Sequence, residues 1–145
     1  MIARSDWSSA EPSPDIYLGK TDSGHTIRMD ASPQHTGPSP MEMVLTALCG
    51  CTSVDVVHIL QKKRQPLESL TVSAEAEKRK DPPNYFTKIH LTYTVRGQNG
   101  QPLSRKAVED AVALSKDKYC SVSAMLEKSA EIDFVIDYND VEPLP

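Results

Sequence analysis

Residues 39–63 read SPMEMVLTALCGCTSVDVVHILQKK, the clearest helix signal in the chain. Ser39 is a natural N-cap, Pro40 suits the first helical position, and Glu42 completes an S-x-x-E capping box. Lys62 and Lys63 bring positive charge to the C-terminal end, where the helix dipole favours it. The middle is apolar on nearly every side: Val44, Leu45, Ala47, Leu48, Cys49, Cys51, Val54, Val56 and Val57. A helix of that kind needs cover all round. A chain of 145 residues has few elements to supply it, so a homodimer is expected, in which the second copy helps bury the helix.

On the N-terminal side, Ile2–Trp7 reads as a short strand, followed by a Pro/Ser-rich turn at Ser9–Asp15. Asp15–Lys20 and His25–Asp30 form a hairpin whose Thr21-Asp22-Ser23-Gly24 link supplies the turn. Pro33–Pro40 is a loop by composition. On the other side the period changes to two. Leu70, Val72, Ala74 and Ala76 alternate with polar residues, and a second alternation runs Tyr85, Thr87, Ile89, Leu91, Tyr93, Val95 beyond the Asp81-Pro82-Pro83-Asn84 turn. Two antiparallel strands with one buried face follow from that pattern. After a turn at Gly97–Pro102, Ser104 caps a helix with Val108, Ala111, Val112 and Tyr119 on one side. Cys120 precedes a short helix, and Ile132, Phe134 and Ile136 alternate in a closing strand. The order β-β-β-α-β-β-α-α-β is that of an α+β domain with antiparallel sheets around a long central helix.

The length fits one domain over residues 1–145. Apolar residues make up 39% and charged residues 25%, with a net charge of −4. No Lys/Arg block is present, so nucleic acid and anionic membranes, both bound through clustered positive charge, are not expected partners. The N-terminus has no signal-peptide core, and no segment is read as a membrane span, which predicts a cytoplasmic protein. Three cysteines in a reducing compartment do not make a disulfide framework.

Two of them can do chemistry. Cys51 sits deep in the helix, beyond the reach of its dipole, so it is either a buried thiol acting as a small hydrophobe or a reactive one helped by a cation from elsewhere. Asp55, one turn on, would repel a thiolate, so an Arg or Lys bridging the two is expected, with Lys20 and Arg28 on the hairpin as candidates. Cys120 stands where a helix begins, and unpaired amides there favour a thiolate. Cys49 lies about 200° around the helix from Cys51 and reads as core. His58 is ~10 Å up the axis, too far to serve Cys51 as a base or to share one metal ion with it. No metal or cofactor is expected.

At these residues the sequence resembles the OsmC/Ohr family, the osmotically inducible and organic hydroperoxide resistance proteins. Its signature is a loop ending in Pro, an acidic residue, and a long helix with the reactive Cys eleven residues after the Pro. Here that run is Pro40 to Cys51, which selects Cys51 rather than Cys49. A second Cys opens a late helix in the Cys120-Ser121-Val122-Ser123 context. The PMEM and KYCSV segments place the chain nearest a YhfA-like subgroup. The resemblance implies an OsmC-like fold, an intertwined homodimer and reduction of organic hydroperoxides, with Cys51 attacking, Cys120 resolving and an external dithiol as reductant. Two positions depart from the pattern. Met41 follows the Pro and Glu42 comes one later, already occupied by its capping box; Lys20 stands nearest the place of the family's activating Arg and lacks its bidentate fork. Those departures motivate a second reading, a non-catalytic dimer that binds a small apolar ligand or a protein.

Overall fold

The computed structural model describes residues 1–11 and 14–139, so Pro12 and Ser13 of the expected Ser9–Asp15 turn lie outside the described residues. The chain divides into two compact units, Met1–Leu45 and Thr46–Pro145. The element order matches the α+β pattern read from the sequence.

In the first unit, β1 (Ala3–Asp6), β2 (Ile16–Thr21) and β3 (Thr26–Asp30) form an antiparallel sheet in that order. The β2–β3 turn closes on Gly24, whose φ of 86° is left-handed and costs glycine nothing. Asp30 ends β3 and is buried. It accepts hydrogen bonds from the amides of Ser32 (2.8 Å) and Thr36 (3.1 Å) and from the Thr36 hydroxyl. The hydroxyls of Ser32 and Thr36 and their amides hold its carboxyl well below the usual carboxylate range. The loop leading into the long helix is therefore folded around one carboxylate.

The helix α1 (Pro40–Lys62) begins as the capping box dictates. The Ser39 amide donates to Glu42 Oε2 at 2.7 Å, and the Glu42 amide donates to Ser39 Oγ at 3.2 Å. Two otherwise unpaired donors are satisfied reciprocally.

The second unit holds β4 (Leu67–Lys78), β5 (Phe86–Gly97) and β6 (Glu131–Tyr138) as one sheet in that order. β4 and β5 are antiparallel, whereas β6 runs parallel to β5, so this sheet is mixed. Ile89, Leu91, Tyr93 and Val95 of β5 are buried on one face, as their alternation predicts. Tyr85 was expected to start that face but is exposed, and Phe86 is buried instead. The register slips between Glu77 and Lys78, where Lys78 pairs with Phe86, and a bulge there switches the faces.

Between β5 and β6 lie α2 (Arg105–Leu114), a π-helical turn (Ser115–Tyr119) and α3 (Ser121–Leu126). Ser104 caps α2 by accepting from the Ala107 amide, and Val108, Ala111 and Val112 are buried. Tyr119 does not join them: it is 51% exposed. The π turn adds a residue to the helical repeat, so side chains beyond it are rotated off the apolar stripe.

By length and composition alone α1 is apolar enough to cross a membrane, contrary to the sequence reading. Its Leu48, Thr52, Val56 and Leu60 form a fully buried stripe at i, i+4 spacing. Ser39→Ala removes one half of the capping box and should cost about 1 kcal/mol, read as a lower urea midpoint with an unchanged slope.

Candidate active site

The site is built within the second unit, from α1, the π turn and Cys120, the N-cap of α3. Cys51 is half-buried and Cys120 is 2% exposed; neither is in a disulfide. The two thiols are neighbours, close enough for Cys51 to add to the upward shift of the Cys120 thiol. Residues sixty-nine positions apart are thus brought to one place in the fold.

Cys120 is fixed from several directions. Its amide donates to the Ser115 carbonyl at 2.8 Å, the bond that defines the π turn. Its Sγ accepts from the Ser123 amide at 3.4 Å. Lys116 Nζ in the π turn lies 3.4 Å from Glu127 Oε1 beyond α3, tying the two sides of Cys120 together. The helix-start position was expected to favour a thiolate. Burial instead pushes the Cys120 thiol up, outweighing the Ser123 hydrogen bonds that pull it down, and the Cys51 contact adds to the rise.

A chain of hydroxyls runs beside the thiols. Tyr93 Oη is 2.7 Å from Thr52 Oγ1, Thr52 Oγ1 is 2.8 Å from Ser115 Oγ, and Ser115 Oγ donates to Asp55 Oδ2 at 2.9 Å. The direction of every bond follows from the proton count. A carboxylate oxygen only accepts, so Ser115 spends its single proton on Asp55. Thr52 must then donate to Ser115, and Tyr93 must donate to Thr52. The Tyr93 phenol is pushed up to about 12, chiefly by burial, so it keeps the proton this role requires.

Asp55 is therefore engaged by the Ser115 hydroxyl. Within the first unit, Lys20 Nζ pairs with Asp6 at 3.0 Å. Arg28 Nη1 donates to the Thr36 carbonyl (3.0 Å) and hydroxyl (2.8 Å). Glu42 is in its capping box. Cys49 is half-buried, and burial raises its thiol, as suits a core residue. His58 is exposed on α1. Among the described residues, no three His, Cys, Asp or Glu side chains converge as metal ligands.

Thr52, Tyr93 and Ser115 were not singled out from the sequence. The signal was present: Thr52 is the one hydroxyl on the Leu48–Thr52–Val56–Leu60 stripe, and Tyr93 is the one phenol on the buried face of β5. A buried hydroxyl implies a partner.

The sequence model for OsmC-like proteins matches residues 33–135. The chain belongs to the OsmC-like family. Protein YhfA of Escherichia coli K12 is 47% identical over 116 residues, spanning 80% of this chain and 84% of YhfA. A hypothetical protein of Aquifex aeolicus VF5 has a solved structure that superposes with a TM-score of 0.76 at 30% identity, covering 97% of this chain and 99% of that one. The organic hydroperoxide resistance protein OhrB of Bacillus subtilis shares the fold at a TM-score of 0.61 and 14% identity, covering 94% of this chain and 98% of OhrB.

Because Cys120 is pushed up, its neutral form is favoured by folding. That contribution is complete below the ordinary thiol pKa of ~8.5 and is lost as pH rises through the higher folded value. Iodoacetamide labelling of Cys120, followed by peptide mass spectrometry, should give a titration midpoint above that of free cysteine. In Cys51→Ala the midpoint should fall only part of the way back, since burial is the larger cause.

Proposed function

We propose that this OsmC-like protein is a thiol-dependent reductase of organic hydroperoxides, with Cys51 as the attacking and Cys120 as the resolving thiol. The observation that carries the reading is the proximity of Cys51 on α1 to Cys120 at the end of the π turn. Cys51 takes the first role because it is the more accessible of the two, and because Cys120 retains its proton. The Cys51 thiolate attacks the distal peroxide oxygen: an S–O bond forms, the O–O bond breaks, and the alkoxide leaves as an alcohol after taking a proton. Cys120 sulfur then attacks Cys51 sulfur, the S–S bond forms, and the sulfenic hydroxyl leaves as water. An external dithiol returns both sulfurs to thiols by exchange. No metal or cofactor enters these steps.

The remaining partners follow from the same reading. Val54 is 55% exposed on α1, and Ala47 and Gly50 lie open on the same helix; a second copy of the chain is the proposed cover. Apolar surroundings favour organic over hydrogen peroxide. The cytoplasm keeps thiols reduced and suits the cycle. Lys20 and Arg28 are the proposed sources of a cation for Cys51, while Glu42 is assigned to the helix cap.

A second reading is favoured by the raised Cys120 thiol. It is a non-catalytic dimer that kept the fold to bind a small apolar ligand or a protein. Peroxide turnover separates the two. Reduced protein should consume cumene hydroperoxide stoichiometrically, and Cys51→Ser should lower the rate by about six orders of magnitude, the scale for losing a nucleophile. Cys120→Ser should permit one turnover and leave Cys51 with one added oxygen by intact mass. Undiminished consumption by Cys51→Ser would overturn the assignment of Cys51, and no consumption by the wild-type protein returns it to the second reading.

A further inference from the structure

We propose that Thr52 and Ser115 are positioning residues that hold Cys120 against Cys51 through the one-way hydroxyl chain from Tyr93 to Asp55. The inference rests on the disulfide step of the function proposed above and adds the residues that make it possible. Thr52 directly follows Cys51 on α1, and Asp55 lies one turn beyond it. Both hold the same Ser115 hydroxyl, at 2.8 and 2.9 Å. The carbonyl of that same Ser115 receives the Cys120 amide at 2.8 Å. A path of two hydrogen bonds therefore runs from the residue beside one sulfur to the backbone of the other.

The geometry is exacting. A disulfide needs its Cβ atoms ~3.8 Å apart and a narrow dihedral. The π turn that delivers Cys120 is a rare backbone form with one residue more than an α turn would hold. Relaxation to an α turn would swing Cys120 by about 100° around the helix axis, off the Cys51 side. What keeps the extra residue in place is the clamp on Ser115: its hydroxyl is fully buried between two α1 side chains and cannot turn to solvent. The bond directions are forced, so no member can be replaced by a group that lacks a proton without orphaning a buried neighbour. Tyr93 anchors the far end from β5, the central strand of the sheet.

The test is the redox equilibrium of the Cys51–Cys120 pair with glutathione, using the full-length protein. Two thiols give up two protons and two electrons to one glutathione disulfide, which leaves as two molecules of glutathione. The oxidised fraction is read by peptide mass spectrometry across a series of glutathione ratios. Ser115→Ala and the equal-volume Thr52→Val should each lower the equilibrium constant for disulfide formation about tenfold, a shift of ~30 mV toward easier reduction. Thr52→Ser, which keeps the hydroxyl, should stay within about twofold of wild type. Val108→Ala, a buried α2 substitution away from the network, controls for stability: it should lower the unfolding midpoint and leave the equilibrium unchanged. If Ser115→Ala does not fold, Thr52→Val carries the test. Equal shifts in Val108→Ala and Thr52→Val, no shift in either network variant, or a wild-type protein that forms no Cys51–Cys120 disulfide would each overturn the inference. Glutathione-linked shifts in a protein that consumes no hydroperoxide would overturn the peroxidase reading and leave the positioning role standing.

Discussion

The second unit turns on a buried hydroxyl, that of Ser115. It is the point where the sheet, the long helix and the π turn are joined by hydrogen bonds rather than by apolar contact alone. Apolar packing is tolerant of small slips, because hydrophobic surface has no direction. A chain of single-proton donors ending on a carboxylate is not tolerant. It admits one arrangement of donors and one spacing between helix and turn. The apolar stripe of Leu48, Val56 and Leu60 supplies burial, while Thr52 within it supplies register. Specificity of geometry is thus concentrated in three hydroxyls and one carboxylate, beside the two sulfurs whose separation matters.

Much of this fold was legible in the sequence, and the reasons differ by element. The capping box at Ser39 and Glu42 could be read because it is local: four consecutive residues hold both donors and both acceptors. The strands could be read because β4 and β5 each present one face to a core, which stamps a period of two on the chain. Tyr85 was placed on the wrong face because a bulge at the strand entry leaves no mark that alternation can detect. Tyr119 was placed on the α2 stripe because the sequence carries no sign of the extra π residue. The proximity of Cys51 and Cys120 followed from family resemblance, not spacing, since a separation of sixty-nine positions erases any periodic signal. The hydrogen bond from Ser115 to Asp55 was not legible either, because it joins side chains sixty positions apart.

α1 shows how composition can mislead about environment. Its apolar run passes a hydropathy test for a membrane span, yet its central turns carry Thr52, Ser53 and Asp55. Thr52 and Asp55 reach outward to other elements, while Ser53 donates back to the Cys49 carbonyl at 2.7 Å. A lipid-facing helix has no use for such side chains, because hydrocarbon offers them nothing to bond. The helix is polar at the few points where it must be held at a fixed angle.

The parallel pairing of β5 with β6 has a consequence for how the molecule comes to exist. An antiparallel neighbour can be added through a tight turn, but a parallel one requires the chain to travel back along the sheet first. Here that return path is α2, the π turn and α3. The edge strand can dock only once the segment bearing the second sulfur has been laid across the sheet. Late, long-range closure of this sort is slow relative to the β4–β5 hairpin. The chain therefore carries its second sulfur on the very crossover that lets β6 lie parallel to β5.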